Sequence, residues 1–161
     1  MRLSLPELAF LLLAGALLVL AFMHGSGGHG GRRAAVVRAS WQLTPGVLNP
    51  DVTQATIAAT VCRRGWTRTV RPPVSYTDDL KEKGLRAYGL RGPPSGYQED
   101  HLISLELGGN PTDPRNLWPE PYPRAAAVDR IENELNAKVC DGRLSLAEAQ
   151  RQESALKHAE G

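Results

Sequence analysis

The chain has 161 residues, which excludes more than one ordinary domain plus an appendage. Its formal charge of +2 resides in the N-terminal segment, because from Trp41 onward 15 Lys and Arg face 16 Asp and Glu, a net of −1. Bulk charge is therefore excluded as a means of holding a polyanion, and nucleic-acid binding has to rest on a local patch.

Leu8 to Met23 is 16 residues without a charge, preceded by Arg2 and Glu7. A helix of that length spans about 24 Å, short of a hydrocarbon core of roughly 30 Å. It is longer than a usual signal-peptide apolar region, and only Gly25-Ser26-Gly27 offers a weak cleavage point. No amphipathic face marks it as a core helix. We expect residues 1–24 to be an export signal, an uncleaved inner-membrane anchor being favoured over a cleaved peptide. Arg2 on one side and Arg32, Arg33 and Arg38 on the other leave its orientation open. Residues 25–40 read as a Gly-rich linker, H-G-S-G-G-H-G-G-R-R over His24 to Arg33, and 41–161 as one folded domain.

The only cysteines, Cys62 and Cys140, lack metal-ligand spacing and fit a single disulfide in an oxidising compartment, with two unpaired buried thiols as the alternative. Asp51 and Gln54 predict the cap of a short helix ending near Cys62. Next, C-R-R-G-W-T-R-T-V-R-P-P sets Arg63, Arg64, Arg68 and Arg71 around Trp66, with no acidic residue between Val52 and Thr77. Such a patch suits phosphate contact and base stacking; the plainer reading is a solvated arginine face with Trp66 in the core. A helix is predicted over Thr77–Tyr88, with Thr77 as cap and Gly89 as terminator.

The stretch Tyr97 to Pro119 organises the rest. Asp100-His101 adjoins an alternating apolar run, Leu102, Ile103, Leu105 and Leu107, followed by Gly108-Gly109, a polar turn and Asn116-Leu117-Trp118. Period-two spacing broken by glycines predicts two short strands, and Ala125–Val139 predicts the helix that follows. Gly142 should stop that helix, and Ser145 with Glu148 should cap a last one. The fold class is thus α+β: a small single domain with a ββα core and flanking helices. Phosphodiester hydrolysis needs a metal to offset charge and a base to deprotonate water. His101 is the natural base, since imidazole titrates near neutral pH, and His24, His29 and His158 fall outside the predicted core. Adjacent residues of a strand face opposite ways, so Asp100 and His101 require a bend or bulge to meet at one point.

The stretch D-H-L-I-x-L-x-L-G-G followed by N-L-W-P resembles the HNH endonucleases of the His-Me finger (ββα-metal) group. Thr53 through Gln150 also resembles small exported bacterial proteins labelled HNH-type nucleases, through the blocks T-V-C-R-R-G-W-T, V-R-P-P, E-D-H-L-I, L-G-G, N-L-W-P-E-P, V-C-D-G-R-L and L-A-E-A-Q. The resemblance implies Asp100 as a metal ligand, His101 as the general base and Asn116 as the residue that pins the loop carrying it. The usual helical ligand position, nine residues after Asn116, holds Ala125, which cannot bind metal. N-L-W-P-E and R-I-E resemble the sugar-non-specific nucleases and point to Glu132, with Asp129 second and Asn133 third. Val128, Ile131, Leu135 and Val139 form the buried stripe beside them.

The expected cofactor is one divalent ion, Mg²⁺ first, with Mn²⁺ or Zn²⁺ as alternatives. The expected activity is endonucleolytic hydrolysis of DNA or RNA with little sequence preference, since nothing resembles a recognition helix or DNA-reading zinc finger. Arg63, Arg64, Arg68 and Arg71 would bind the substrate. The protein is expected to be a monomer, periplasmic or extracellular, touching membrane only through an uncleaved N-terminus. The alternatives are a non-catalytic envelope protein that keeps the ββα fold for binding or stability, and a hydrolase of another phosphoester.

Overall fold

The structure is a computed structural model that describes residues 36–160. The expected signal or anchor and most of the linker lie outside them. Among the described residues no helix is long and apolar enough to cross a membrane.

In chain order the elements are a 3-10 turn at Ile57–Ala59, helices α1 (Trp66–Val70) and α2 (Val74–Ala87), and strand β1 (Tyr97–His101). Strand β2 (Leu117–Pro121) and helices α3 (Arg124–Cys140) and α4 (Leu146–Ala159) complete them. The strands pair antiparallel with Tyr97 opposite Pro121 and His101 opposite Leu117, and α3 follows directly, giving a small α+β unit with a ββα core.

Several boundaries move for physical reasons. The segment expected to be helical up to Cys62 holds only the 3-10 turn, and Gln54 caps a different helix: its Oε1 accepts from the Leu146 N–H at 2.7 Å. Helix α2 starts three residues before Thr77, because Pro73 is fixed at φ −64°, ψ 149° and sets the helix entry. The Thr77 hydroxyl donates to the Val74 carbonyl inside the first turn instead of capping, while Gly89 ends the helix as expected at φ +63°.

The main correction concerns the apolar run. The first strand is Tyr97–His101, ahead of Leu102–Leu107, and Leu105–Leu107 is a 3-10 turn. Leu102, Ile103, Leu105 and Leu107 are all buried, so their pattern reflects burial on several sides rather than alternation across a sheet. The Asn116 side chain also takes both backbone groups of Ile103, which removes them from any ladder.

One core joins Val52, Val61, Trp66, Ile103, Leu107, Leu135, Val139 and Leu146. Trp66 is 7% exposed, so it serves the core and offers no stacking face. Helix α3 ends as expected before Gly142 at φ +72°, and Ser145 accepts from the Glu148 N–H at 3.2 Å to start α4.

Cys62 and Cys140 are joined, leaving no free cysteine. The bridge spans 78 residues and ties the chain entering α1 to the last turn of α3. In the chain-entropy model, closing such a loop stabilises the folded state by up to about 4–5 kcal/mol. Reduction should therefore lower the melting temperature by about 10 °C or more. Thiol labelling before and after reductant, read alongside thermal melts, checks both; full labelling without reductant would rule out the bridge.

Candidate functional site

The site begins with Asn116, which is fully buried at the entry to β2. Its Nδ2 donates to the carbonyls of Ile103 and Asn110, both at 3.0 Å. Its Oδ1 accepts from the N–H of Ile103 at 3.0 Å and of Val47 at 3.4 Å. Gly109 packs so closely on this clamp that a Cβ would collide with the Ile103 carbonyl and lie 2.7 Å from Asn116 Nδ2. The L-G-G glycine is there for close approach.

The clamp turns the chain away immediately after His101, the last residue of β1. The register through Asp100–Trp118 and His101–Leu117 is regular, so the expected bend or bulge takes the form of a bend just beyond the strand. Asp100 and His101 line one cavity of about 320 Å³, because the strand ends at His101 and the backbone bends at Leu102. Arg71, Asp129, Glu132 and Asn133 line the same cavity.

His101 is buried, and its Nε2 lies 3.1 Å from the Pro111 carbonyl. A carbonyl only accepts, so Nε2 carries the proton and Nδ1 keeps the lone pair. Burial pushes the imidazole below its ordinary pKa, against the Pro111 bond and the Asp100 charge, which favours the neutral ring.

Asp100, Asp129 and Glu132 each offer an oxygen within 4.8 Å of the others, a possible acidic metal-binding cluster. An all-oxygen set suits a hard divalent cation. Asn133 reaches the cavity but donates its amide to the Asp129 carbonyl at 2.6 Å, so its side chain is engaged with its own helix.

Behind this cluster lies a residue that motif reading missed. Lys157 of α4 is fully buried, and its Nζ donates to Asp100 Oδ2 and Glu132 Oε1 at 2.6 Å and to the His101 carbonyl at 2.5 Å. Glu153 Oε1 lies 3.5 Å from the ammonium and accepts from the Ser104 N–H at 2.9 Å. Glu120 is also fully buried, and its carboxyl pairs with that of Asp100.

Burial opposes the Lys157 charge, but Asp100, Glu153, Glu132 and Glu120 outweigh it and hold the ammonium well above its ordinary pKa. Burial likewise opposes the Asp100 carboxylate most strongly, yet Lys157, a bond with Glu120 and the nearby His101 together outweigh it and hold it below its ordinary value. Burial pushes Glu120 up to about 8, helped by the Asp100 charge, and Glu132 up to about 9, against the pull of Lys157. One ammonium serves four carboxylates, and Asp100 keeps its charge most firmly. A signal was present: Leu146, Ala149, Glu153 and Lys157 share one helical face, which places two charges on the buried side of α4.

One further expectation is corrected. His158 is not outside the core: it is buried, stacks on Trp41 at 3.5 Å between ring centroids, and sits 3.1 Å from the Thr44 carbonyl. The four arginines are all exposed, as both readings of the stretch expected, and they share no single hollow. Arg71 lines the site cavity, while Arg63 and Arg64 line a groove of about 270 Å³ with Cys62 and Cys140. The two hollows meet at Glu106, which lines both. Arg68 lines neither, and its guanidinium lies over Gly65.

Asn116→Ala would leave the backbone groups of Ile103 and the Asn110 carbonyl without partners in a buried loop. A loss of about 2–4 kcal/mol is expected from the cost of orphaned buried groups, measurable by urea denaturation. An unchanged midpoint would show that the loop holds itself. Compared with protein-family models, curated proteins and solved structures, the chain matches none.

Proposed function

We propose that the protein is a metal-dependent phosphodiesterase that cleaves nucleic acid with little sequence preference. The observation that carries this reading is the single cavity on which a neutral His101, with Nδ1 free, meets the carboxylates of Asp100, Asp129 and Glu132.

The donor set fits a divalent ion. Lys157 takes one oxygen of Asp100 and one of Glu132; the second oxygen of Asp100 accepts only a long bond from Gln98 Nε2 at 3.4 Å, which an ion would displace. Asp100, Glu132 and Asp129 would hold the ion, with Mg²⁺ or Mn²⁺ favoured over Zn²⁺ by the absence of nitrogen and sulfur donors among the three. When bound, it would supply Lewis-acid stabilisation of the charge that builds on the phosphate oxygens.

His101 Nδ1 takes the proton of the attacking water as the new P–O bond forms. The bond to the leaving sugar oxygen then breaks, and solvent returns a proton to that oxygen. The Pro111 carbonyl steadies the resulting imidazolium through the Nε2 proton, and Asp100 favours its charge. Asn116 fixes the position of His101 through the loop. Arg71 faces the phosphate at the cavity, and Arg63 and Arg64 would receive phosphates further along the strand. The disulfide supports an oxidising compartment and hence export.

One observation favours the non-catalytic alternative. Lys157 already neutralises part of the carboxylate cluster, so the core is held together without an added ion.

His101→Ala should lower turnover by roughly 10²–10⁴-fold, the usual contribution of a general base, with Mn²⁺ binding retained. Full activity in that variant, or no activity in the parent with Mg²⁺, Mn²⁺ or Zn²⁺, would sink the reading. Neutralising Arg63, Arg64 and Arg68 together should flatten the log–log salt dependence of binding by up to about 3 with little change in turnover. Arg71→Ala should weaken both binding and turnover. Binding that keeps its affinity and salt slope in the triple variant would place the polyanion elsewhere.

A further inference from the structure

The Lys157 ammonium is surrounded as a metal ion would be. Three oxygens from Asp100, Glu132 and the His101 carbonyl lie at 2.5–2.6 Å from Nζ, and a fourth, Glu153 Oε1, lies at 3.5 Å. This is a hard oxygen set drawn from β1, α3 and α4. The surroundings hold more anionic capacity than the ammonium uses. Glu120 is fully buried with no nitrogen or hydroxyl donor on either oxygen, pairing only with the Asp100 carboxyl, and Glu153, 1% exposed, has Oε2 unpartnered.

Asp100 and Glu132 each give one oxygen to the ammonium and turn the other away from it, Asp100 Oδ1 accepting only a long bond from Gln98 Nε2 at 3.4 Å. Carboxylates that can reach inward and outward at once are what bridge the ions of a two-metal centre, which sit about 3.5–4 Å apart. Here the inward half of that arrangement is filled by a side chain.

We propose that Lys157 is the resident cation of an inner site formed by Asp100, Glu132, Glu153, Glu120 and the His101 carbonyl, and that it limits the centre to a single divalent ion. The proposal rests on the reading of Asp100, Asp129 and Glu132 as metal ligands. The inner position belongs to a side chain that no chelator removes, and it keeps Asp100 and Glu132 set for the outer ion. A purely structural lysine would give stability alone, and its loss would create no new ion site.

The test compares the full chain with Lys157→Ala and Lys157→Arg by calorimetric and electron-paramagnetic-resonance titration with Mn²⁺ alone. The parent and Lys157→Arg should bind one ion, and Lys157→Ala should bind one more. The rise in melting temperature on adding Mn²⁺ should also be larger in Lys157→Ala than in the parent. Equal stoichiometry and an equal rise in the parent and Lys157→Ala would overturn the proposal. A parent that binds none beside a Lys157→Ala that binds one would support the inner site while defeating the metal ligands of the proposed function. Should Lys157→Ala fail to fold in metal-free buffer, folding on addition of Mn²⁺ supports the inner site, and failure to fold with Mn²⁺ overturns it.

Discussion

The buried ammonium of Lys157 is the interaction on which the rest of the structure depends. It joins the end of β1, the middle of α3 and the last turn of α4 in one set of hydrogen bonds. Removing several charges from water costs several kcal/mol per ion, and mutual attraction offsets this only when the geometry satisfies the donors. Each of the three Nζ protons has an oxygen acceptor at 2.5–2.6 Å, which meets that condition on the lysine side. The carboxylate side is in excess, and burial answers this by pushing Glu120 and Glu132 toward their neutral forms. The cluster is therefore settled at its centre around the Lys157–Asp100 pair.

A second constraint acts on the backbone. Asn116 supplies in one side chain the partners that a strand would have provided to Ile103. The sheet thus stops at His101, and the ring faces the cavity with Asp100 instead of the opposite side. The same clamp leads the loop through Asn110 to Pro111, whose carbonyl selects the tautomer. The tautomer of His101 and the position of the strand end follow from one buried amide.

Much of this was legible in the residues. Helix α3, the cap at Ser145, the stop at Gly142 and the Cys62–Cys140 pair follow from local signals that depend on neighbours a few residues apart, or on there being only two cysteines. Asp100, His101, Asp129, Glu132 and Asn133 do converge on one cavity. The strand boundary was not legible, because a run of leucines buried on all sides has no period that separates strand from turn. Thr77 misled because Pro73 starts the helix first. Lys157 and Glu120 were hidden for another reason: a charged residue near a chain end or in a strand reads as solvated unless its partners, 25 to 57 residues away for Lys157, are known. The face shared by Leu146, Ala149, Glu153 and Lys157 was the one available clue, and it takes its meaning only from helix α4 packing inward.

Arginines stand beside the acidic centre. On the proposed function they would offset the repulsion between a phosphodiester and the buried carboxyl groups, which a near-neutral domain cannot correct by long-range steering. Arg71 would lower that repulsion where it matters, since it faces both His101 and Glu106 closely enough to influence their protonation. Arg63 and Arg64 extend positive charge into the adjoining groove, whose wall contains the disulfide. Asn136 of α3 donates to the Val61 and Glu106 carbonyls at 3.3 and 2.7 Å, so the groove is fastened to the same helix that carries Glu132. Cys140 ends that helix and Cys62 precedes the two arginines in the chain. The bridge and the Asn136 bonds therefore hold the basic groove at a fixed distance from the acidic centre. On the proposed function, a polyanion would be gripped on one side of Glu106 while the scissile phosphate met the carboxylates on the other.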